Sequence, residues 1–252
     1  MSIKFFTAEI EGDTRTEIPS VDEAQMREVD RIAVENFKLA VLQMMENAGR
    51  NLARQTIRFL GETGIPYQGN KIVVAAGFGG NGGGGLCAAR HLHNQGYPVS
   101  IVLTKPPELL KGPAKSQLTI LEAAGIQAGD LKAAEMLFGE AAVILDAVIG
   151  YSLKGAPRGT SKELIEKVNA SVKPVLSLDI PSGLDATSGD TPGVCIQAEQ
   201  TLTLALPKPG LANLLSGEIY LADIGIPPEV YHPLGIRFAP FFNGKGIIAL
   251  EF

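Results

Sequence analysis

The chain has 252 residues, 45% apolar and 19% charged, the composition of an ordinary globule and enough for one large domain or two small ones. Its 22 basic and 27 acidic residues give a net charge of -5 without a Lys/Arg cluster that could track a phosphate backbone, which argues against a nucleic-acid partner. No stretch reaches the ~18 continuous apolar residues of a membrane span, and Lys4, Glu9 and Glu11 interrupt what would have to be an apolar signal region, so a soluble, unexported, cytoplasmic protein is expected.

An irregular start is expected over residues 1–19. Ser20-Val21-Asp22-Glu23 then reads as a capping box opening a helix whose apolar positions are Met26, Val29 and Ala33. A second helical pattern carries Met45, Ala48, Leu52, Thr56 and Leu60 before Gly61, with the break between the two near Asn36-Phe37-Lys38. From residue 71 short apolar runs alternate with helical periods: KIVVAAG, YPVSIVLT, AAVILDAV and PVLSLDI, the pattern of βαβ units. Runs apolar at every position suit strands covered on both faces, hence a parallel sheet in an α/β fold. The intervening helices are expected over 86–95, over 113–124 up to Gly125, over 131–138, and after a capping box at Thr160-Ser161-Lys162-Glu163. QTLTLAL and EIYLADIGI should add strands at one edge. With no linker and no fixed-period repeat, the reading is one domain over 1–252. Its aromatic tail over 237–252, with Phe238, Phe241, Phe242 and Phe252, needs covering, either by its own sheet or by another subunit.

Glycine is in excess, 29 residues in all, and seven fall within Gly77-Phe78-Gly79-Gly80-Asn81-Gly82-Gly83-Gly84-Gly85. Directly after a strand and before a helix, such a loop frees the backbone for positive φ and aims helix N-terminal N–H groups at a ligand, an anion-binding device. Gly77-x-Gly79-x-x-Gly82 also satisfies a dinucleotide-binding pattern, but Lys105 stands where a dehydrogenase needs an acidic residue for the ribose. Asp146 and Asp179 each end an apolar run, where open α/β sheets place ligands. Two carboxylates beside a glycine loop point to carboxylate chemistry or a hard cation. Two cysteines, Cys87 and Cys195, and three histidines, His91, His93 and His232, supply a Cys/His metal site poorly.

Five segments in order, Met45-Glu46-Asn47-Ala48-Gly49, the glycine loop running into Ala88-Ala89-Arg90-His91-Leu92, Asp179-Ile180-Pro181-Ser182-Gly183-Leu184-Asp185, Pro207-Lys208-Pro209-Gly210 and Asp223-Ile224-Gly225-Ile226-Pro227, resemble the YjeF amino-terminal-domain family over about Val21 to Pro228. That resemblance implies a Rossmann-like three-layer αβα sandwich with a mostly parallel central sheet, commonly a homodimer. It implies an NAD(P)H-hydrate epimerase that interconverts the R and S forms of NADH or NADPH hydrated at C6, with a separate dehydratase completing repair. It further implies substrate contacts from Gly80, Asn81, Gly82, Gly83 and Gly84, from Gly150, Tyr151, Ser152, Leu153, Lys154, Gly155 and Ala156, and from Asp179. A potassium ion would be held by Asn81, Asp146 and Ser182; an all-oxygen donor set agrees with a hard cation.

The family's loop reads Gly-x-Gly-Asn-Asn-Gly-Gly-Asp-Gly, whereas here Gly80 replaces the first Asn and Gly84 the Asp. Each buried hydrogen bond lost by these changes would weaken a site by ~1–3 kcal/mol, roughly ten- to hundred-fold. Epimerisation by loss of the C6 hydroxyl and re-addition of water on the other face needs an acid and a base, and Asp179 is the candidate for that work. Two other readings stand beside the epimerase: a catalytically weakened ligand-binding or scaffold module of the same fold, and a conventional NAD(P) oxidoreductase.

Overall fold

A computed structural model describes residues 5–9, 15–65 and 69–252; Lys4 and Glu11 lie outside them. The expected irregular start is instead two antiparallel strands, β1 (Phe5–Glu9) and β2 (Arg15–Pro19), with Phe6 opposite Ile18. Burial of Phe6, Ala8 and Ile18 holds this pair on the body of the protein. Helix α1 (Glu23–Glu35) is capped by Asp22, not Ser20: the Asp22 carboxylate accepts from the Gln25 N–H at 2.8 Å and the Gln25 side chain accepts from the Asp22 N–H at 3.0 Å. The cap moves two residues along because Val21 is still extended, its N–H donating to the Pro207 carbonyl. The chain breaks at Asn36 and Lys38 (φ +59°) as expected, and α2 (Val41–Glu62) runs through Gly61.

The remainder alternates as β3 (Lys71–Ala76), α3 (Gly80–Asn94), β4 (Val99–Leu103), α4 (Gly112–Ala123), β5 (Ala128–Gly129), α5 (Leu131–Gly139), β6 (Ala141–Ala147), α6 (Gly159–Ala170), β7 (Val175–Leu178), β8 (Gln200–Leu204), β9 (Glu218–Ala222) and β10 (Ile247–Leu250). The expected capping box at Thr160 lies inside the first turn of α6, whose cap position is Arg158 with no side-chain bond. Eight strands form one sheet in the order β10-β9-β8-β7-β6-β3-β4-β5, parallel except for β10 on β9. Alternate side chains of β3 take opposite sides: Ile72, Val74 and Ala76 pack with α2, α3 and α4, whereas Val73 and Ala75 pack with α5 and α6. This is the expected three-layer sandwich. The aromatic tail covers its own sheet: Phe241 is buried among Tyr231, Phe238 and Phe242, and β10 pairs with β9. No helix among the described residues is long and apolar enough to cross a membrane.

The glycine run differs most from expectation. Helix α3 starts at Gly80 instead of near Leu86, and none of the glycines from Gly77 to Gly85 has positive φ. They are needed because α3 lies against the sheet with no room for side chains. A Cβ on Gly82 would overlap the Gly77 carbonyl, one on Gly83 would overlap the Met45 side chain, and one on Gly85 would lie 2.5 Å from the Ala147 Cβ. Gly80 faces open space. Gly82→Ala is therefore expected to destabilise the protein by more than about 3 kcal/mol, whereas Gly80→Ala, which only stiffens the unfolded chain, should be neutral or stabilising by up to ~1 kcal/mol in chemical denaturation.

Candidate active site

Chain order reverses between β3 and β6, so the loops leaving their carboxyl ends part and open a crevice. A cavity of about 460 Å³ occupies it. Gly79, Gly80, Asn81 and Gly84 border it from the start of α3, and Val148 to Ser152 border it from the loop after β6. Leu178 and Asp179 contribute from the end of β7, Leu204 from the end of β8 and Lys208 from beyond it. Helices α1 and α2 close the other side with Met26, Asp30, Val34, Val41, Met44, Met45 and Ala48.

Asp179 directly follows β7 in the left-handed region (φ +70°), a conformation an aspartate tolerates better than most side chains. Its own N–H donates to the Leu202 carbonyl at 2.8 Å, which fixes the turn on β8. Lys208, fully buried, donates from Nζ to Asp179 Oδ1 at 2.5 Å, to the Leu204 carbonyl at 2.9 Å and to Thr203 Oγ1 at 3.4 Å. The second oxygen, Asp179 Oδ2, accepts the Tyr151 N–H at 2.9 Å. The Tyr151 hydroxyl donates to Asp30 Oδ2 at 2.6 Å. Burial raises the Asp30 carboxyl above the ordinary range, outweighing the opposing pull of the Tyr151 hydrogen bond and of Lys208. Burial, reinforced by the charge of Asp30, likewise raises the Tyr151 phenol.

Asp146 is the penultimate residue of β6, inside the strand instead of beyond it, and it lies beneath the cavity. Its carboxylate accepts from Ser177 Oγ (2.8 Å), Ser182 N–H (2.8 Å), Ser182 Oγ (2.6 Å) and Val148 N–H (3.2 Å). Ser177 is its register partner on β7. The group is completely buried, which raises its pKa, and no cationic side chain among the described residues pairs with it. Ser182 Oγ also accepts the Ile149 N–H at 2.8 Å, tying the loop after β7 to the loop after β6. Asn81 Nδ2 is buried without a hydrogen-bond partner.

Residues 41–210 match the family model described as YjeF-related protein N-terminus. The chain belongs to this family. It is 48% identical over 246 residues to an NAD(P)H-hydrate epimerase of Dehalogenimonas lykanthroporepellens, covering 97% of this chain and 96% of that protein. It is 40% identical over 194 residues to a bifunctional NAD(P)H-hydrate repair enzyme of Hyperthermus butylicus, covering 75% of this chain and 35% of that one. Among solved structures the yeast protein ynu0 has the same fold, with a TM-score of 0.78 at 24% identity over 91% of this chain and 99% of that one.

Of the site residues expected from the resemblance to the YjeF family, the structure brings Gly80, Asn81, Gly84, Gly150, Tyr151, Ser152 and Asp179 to one cavity. Gly82 and Gly83 are buried in the packing of α3, Leu153 is buried, and Lys154, Gly155 and Ala156 lie farther along the loop, outside the cavity lining. Space for the two side chains that the family carries and this chain lacks is unequal: open at Gly80, whereas a Cβ at Gly84 would lie 2.7 Å from Leu178 Cδ2. Lys105 lies over the Phe78 ring, 5.7 Å from its centroid, and does not line the cavity.

Lys208 and Asp30 are the two charged residues of the cavity lining that sequence reasoning did not assign. Lys208 stood within a recognised segment but had no role. Asp30 was legible as a carboxylate in the apolar stripe Met26, Val29, Ala33, a position where a helix facing the core has no use for a charge. Elsewhere, Glu46, Cys87 and His91 put one possible metal-ligand atom each within 4.8 Å of one another. The Arg90 guanidinium already fills that gap, with Nη2 at 2.5 Å from Glu46 Oε2, 3.5 Å from Cys87 Sγ and 3.4 Å from His91 Nε2. The cluster therefore links α2 to α3 with its own internal cation.

Removing one member of a buried ion pair strands the other charge. Lys208→Met is expected to destabilise the protein by about 3–5 kcal/mol, and Lys208→Met with Asp179→Leu by clearly less than the sum of the single changes. Urea denaturation of the four proteins checks this, and strictly additive losses would show that the pair is not coupled.

Proposed function

We propose that this chain is an NAD(P)H-hydrate epimerase acting on C6-hydrated NADH and NADPH. The observation that carries the reading is Asp179, held by Lys208 in a cavity at the amino end of α3, in a YjeF-family chain nearly half identical over its length to a protein named for that activity. The first N–H groups of α3 have no intrahelical partner and offer donors to a polar or anionic part of the substrate. The apolar side chains of α1 and α2 exclude water from the nicotinamide end. Lys154, exposed on the loop after β6, extends this site outward with Leu153, Gly155 and Ala156 toward a phosphate of the dinucleotide.

Loss of the C6 hydroxyl is assisted by the ring-nitrogen lone pair and leaves an iminium, to which water adds from either face. Asp179 is positioned to move a proton at the C6 oxygen, and its ties to Lys208 and to the Tyr151 N–H fix its orientation. In this reading a separate dehydratase then consumes the product epimer. The exposed Val34, Phe37, Val41 and Leu42 at the turn from α1 to α2 are the apolar surface that a homodimer would cover.

A potassium ion fits the chemistry beneath the cavity. A fully buried carboxylate without a cationic side-chain partner and the hydroxyl of Ser182 are hard oxygen donors, and the amide oxygen of Asn81 would be a third. Asn81, Asp146 and Ser182 would hold it. Its contribution there would be to neutralise Asp146 and stiffen the loops that Ser182 joins. Such an ion binds the folded state alone, so the melting temperature should rise in potassium chloride relative to tetramethylammonium chloride at equal ionic strength, and the rise should vanish in Asp146→Asn.

The activity is tested by mixing the protein with both NADPH-hydrate epimers and an S-specific dehydratase in potassium buffer and following consumption of the R epimer. Acceleration is expected, with a loss of roughly 10²–10⁴-fold in Asp179→Asn. Absence of acceleration with the hydrate still bound in calorimetry would favour the ligand-binding module.

A further inference from the structure

Epimerisation at C6 needs two proton carriers, one for each face of the ring, and the mechanism above uses one. We infer that Asp30 is the second: a catalytic carboxyl on α1 that serves the face of the nicotinamide ring opposite Asp179. The inference rests on the epimerase reading of the cavity.

Both carboxyl groups border the same cavity. They hold the two ends of one residue: Asp179 accepts the Tyr151 backbone N–H at 2.9 Å, and Asp30 accepts the Tyr151 hydroxyl at 2.6 Å. Tyr151 thus bridges the two carboxyl groups, its backbone at one and its hydroxyl at the other. Carboxyl pairs about 6.5–9.5 Å apart are how inverting glycosidases protonate a leaving oxygen on one face of a carbon and activate water on the other. The C6 iminium is the nitrogen counterpart of the oxocarbenium ion formed there.

The surroundings divide the roles. Asp179 is in an ion pair with the fully buried Lys208. Asp30 has no salt bridge among the described residues; the charged and titratable groups around it are Tyr151, Lys208, Asp179, Arg27 and the buried phenol of Tyr231, and burial favours its protonated form. The phenol donates to one Asp30 oxygen, which leaves the carboxyl proton on the other free for the substrate.

In one direction the C6–O bond breaks with its electron pair on oxygen. Asp30 supplies the proton that lets this oxygen leave as water, while the ring-nitrogen lone pair forms the C6=N bond. A water then adds to C6 from the Asp179 side, the π pair returns to nitrogen, and Asp179 takes the proton. In the other direction the carboxyl groups exchange roles. No electrons are gained or lost by the substrate, and one water leaves for each that adds.

The test follows inversion and oxygen exchange together, in water enriched in oxygen-18, for the wild type, Asp30→Asn and Tyr151→Phe. Asp30→Asn should lose inversion by at least a hundredfold with KM changed less than about threefold. Exchange should fall less, through same-face loss and return at Asp179, so the exchange-to-inversion ratio rises at least tenfold. Tyr151→Phe, which keeps both carboxyl groups but releases the Asp30 oxygen that the hydroxyl holds, should lower inversion by less than Asp30→Asn does. Inversion by Asp30→Asn within threefold of the wild type, or a proportional fall of inversion and exchange, would overturn the assignment. Failure of the wild type itself to invert or exchange would be a failure of the epimerase reading, and of this inference with it.

Discussion

The close approach of α3 to the sheet is the constraint on which the rest of the site depends. Where Gly82 passes the Gly77 carbonyl and Gly85 passes Ala147, backbone meets backbone or a methyl group, and the helix axis is drawn in toward β3 and β6. This brings the first turn of α3 to the mouth of the crevice, within reach of whatever the loops after β6 and β7 present. A side chain at any of these contacts would push the helix outward, and Asn81 with it. Gly49 repeats the device on the other side of α3, where a Cβ would overlap Cys87, so α2 is also held close.

Two aspartates at the carboxyl ends of neighbouring strands illustrate two solutions to burying a carboxylate. Asp179 is paired with a lysine whose other donors are satisfied by Leu204 and Thr203, so charge and hydrogen bonds balance together. Asp146 receives four hydrogen bonds but has no cationic side-chain partner among the described residues, so no side chain balances its charge. The first arrangement leaves a group that can face a cavity. The second behaves as a fastener, joining β6, β7 and the loop at Ser182 from below.

Much of this was legible in the sequence, and for identifiable reasons. Runs such as Ile72 to Ala76 declare a strand covered on both faces, whereas the strand order, with its reversal between β3 and β6, is not written in any local pattern. Caps were misread where tertiary contacts moved them: Val21 is drawn into an extended bond with Pro207, so the cap falls on Asp22. The glycines were read as conformational freedom, yet their use here is thinness. No local pattern distinguishes these, because the obstructing atoms belong to Met45, Ala147 and Leu178, far away in sequence. Asp179 was found through its position after a strand. Lys208 was not, because a lone lysine between prolines reads as solvated until the fold places it under an aspartate.

Strand β1 meets the last residues of the chain: Thr7 and Glu251 exchange two backbone hydrogen bonds of 2.8 Å. The first strands, β10 and α1 share one apolar cluster, which includes Phe6, Met26, Val29, Ile248 and Leu250. Among the described residues such a seam closes the longest loop, and its entropy cost is the largest that a single contact here must offset. Seating of α1, which carries Asp30, is in this way tied to a contact between two segments far apart in sequence.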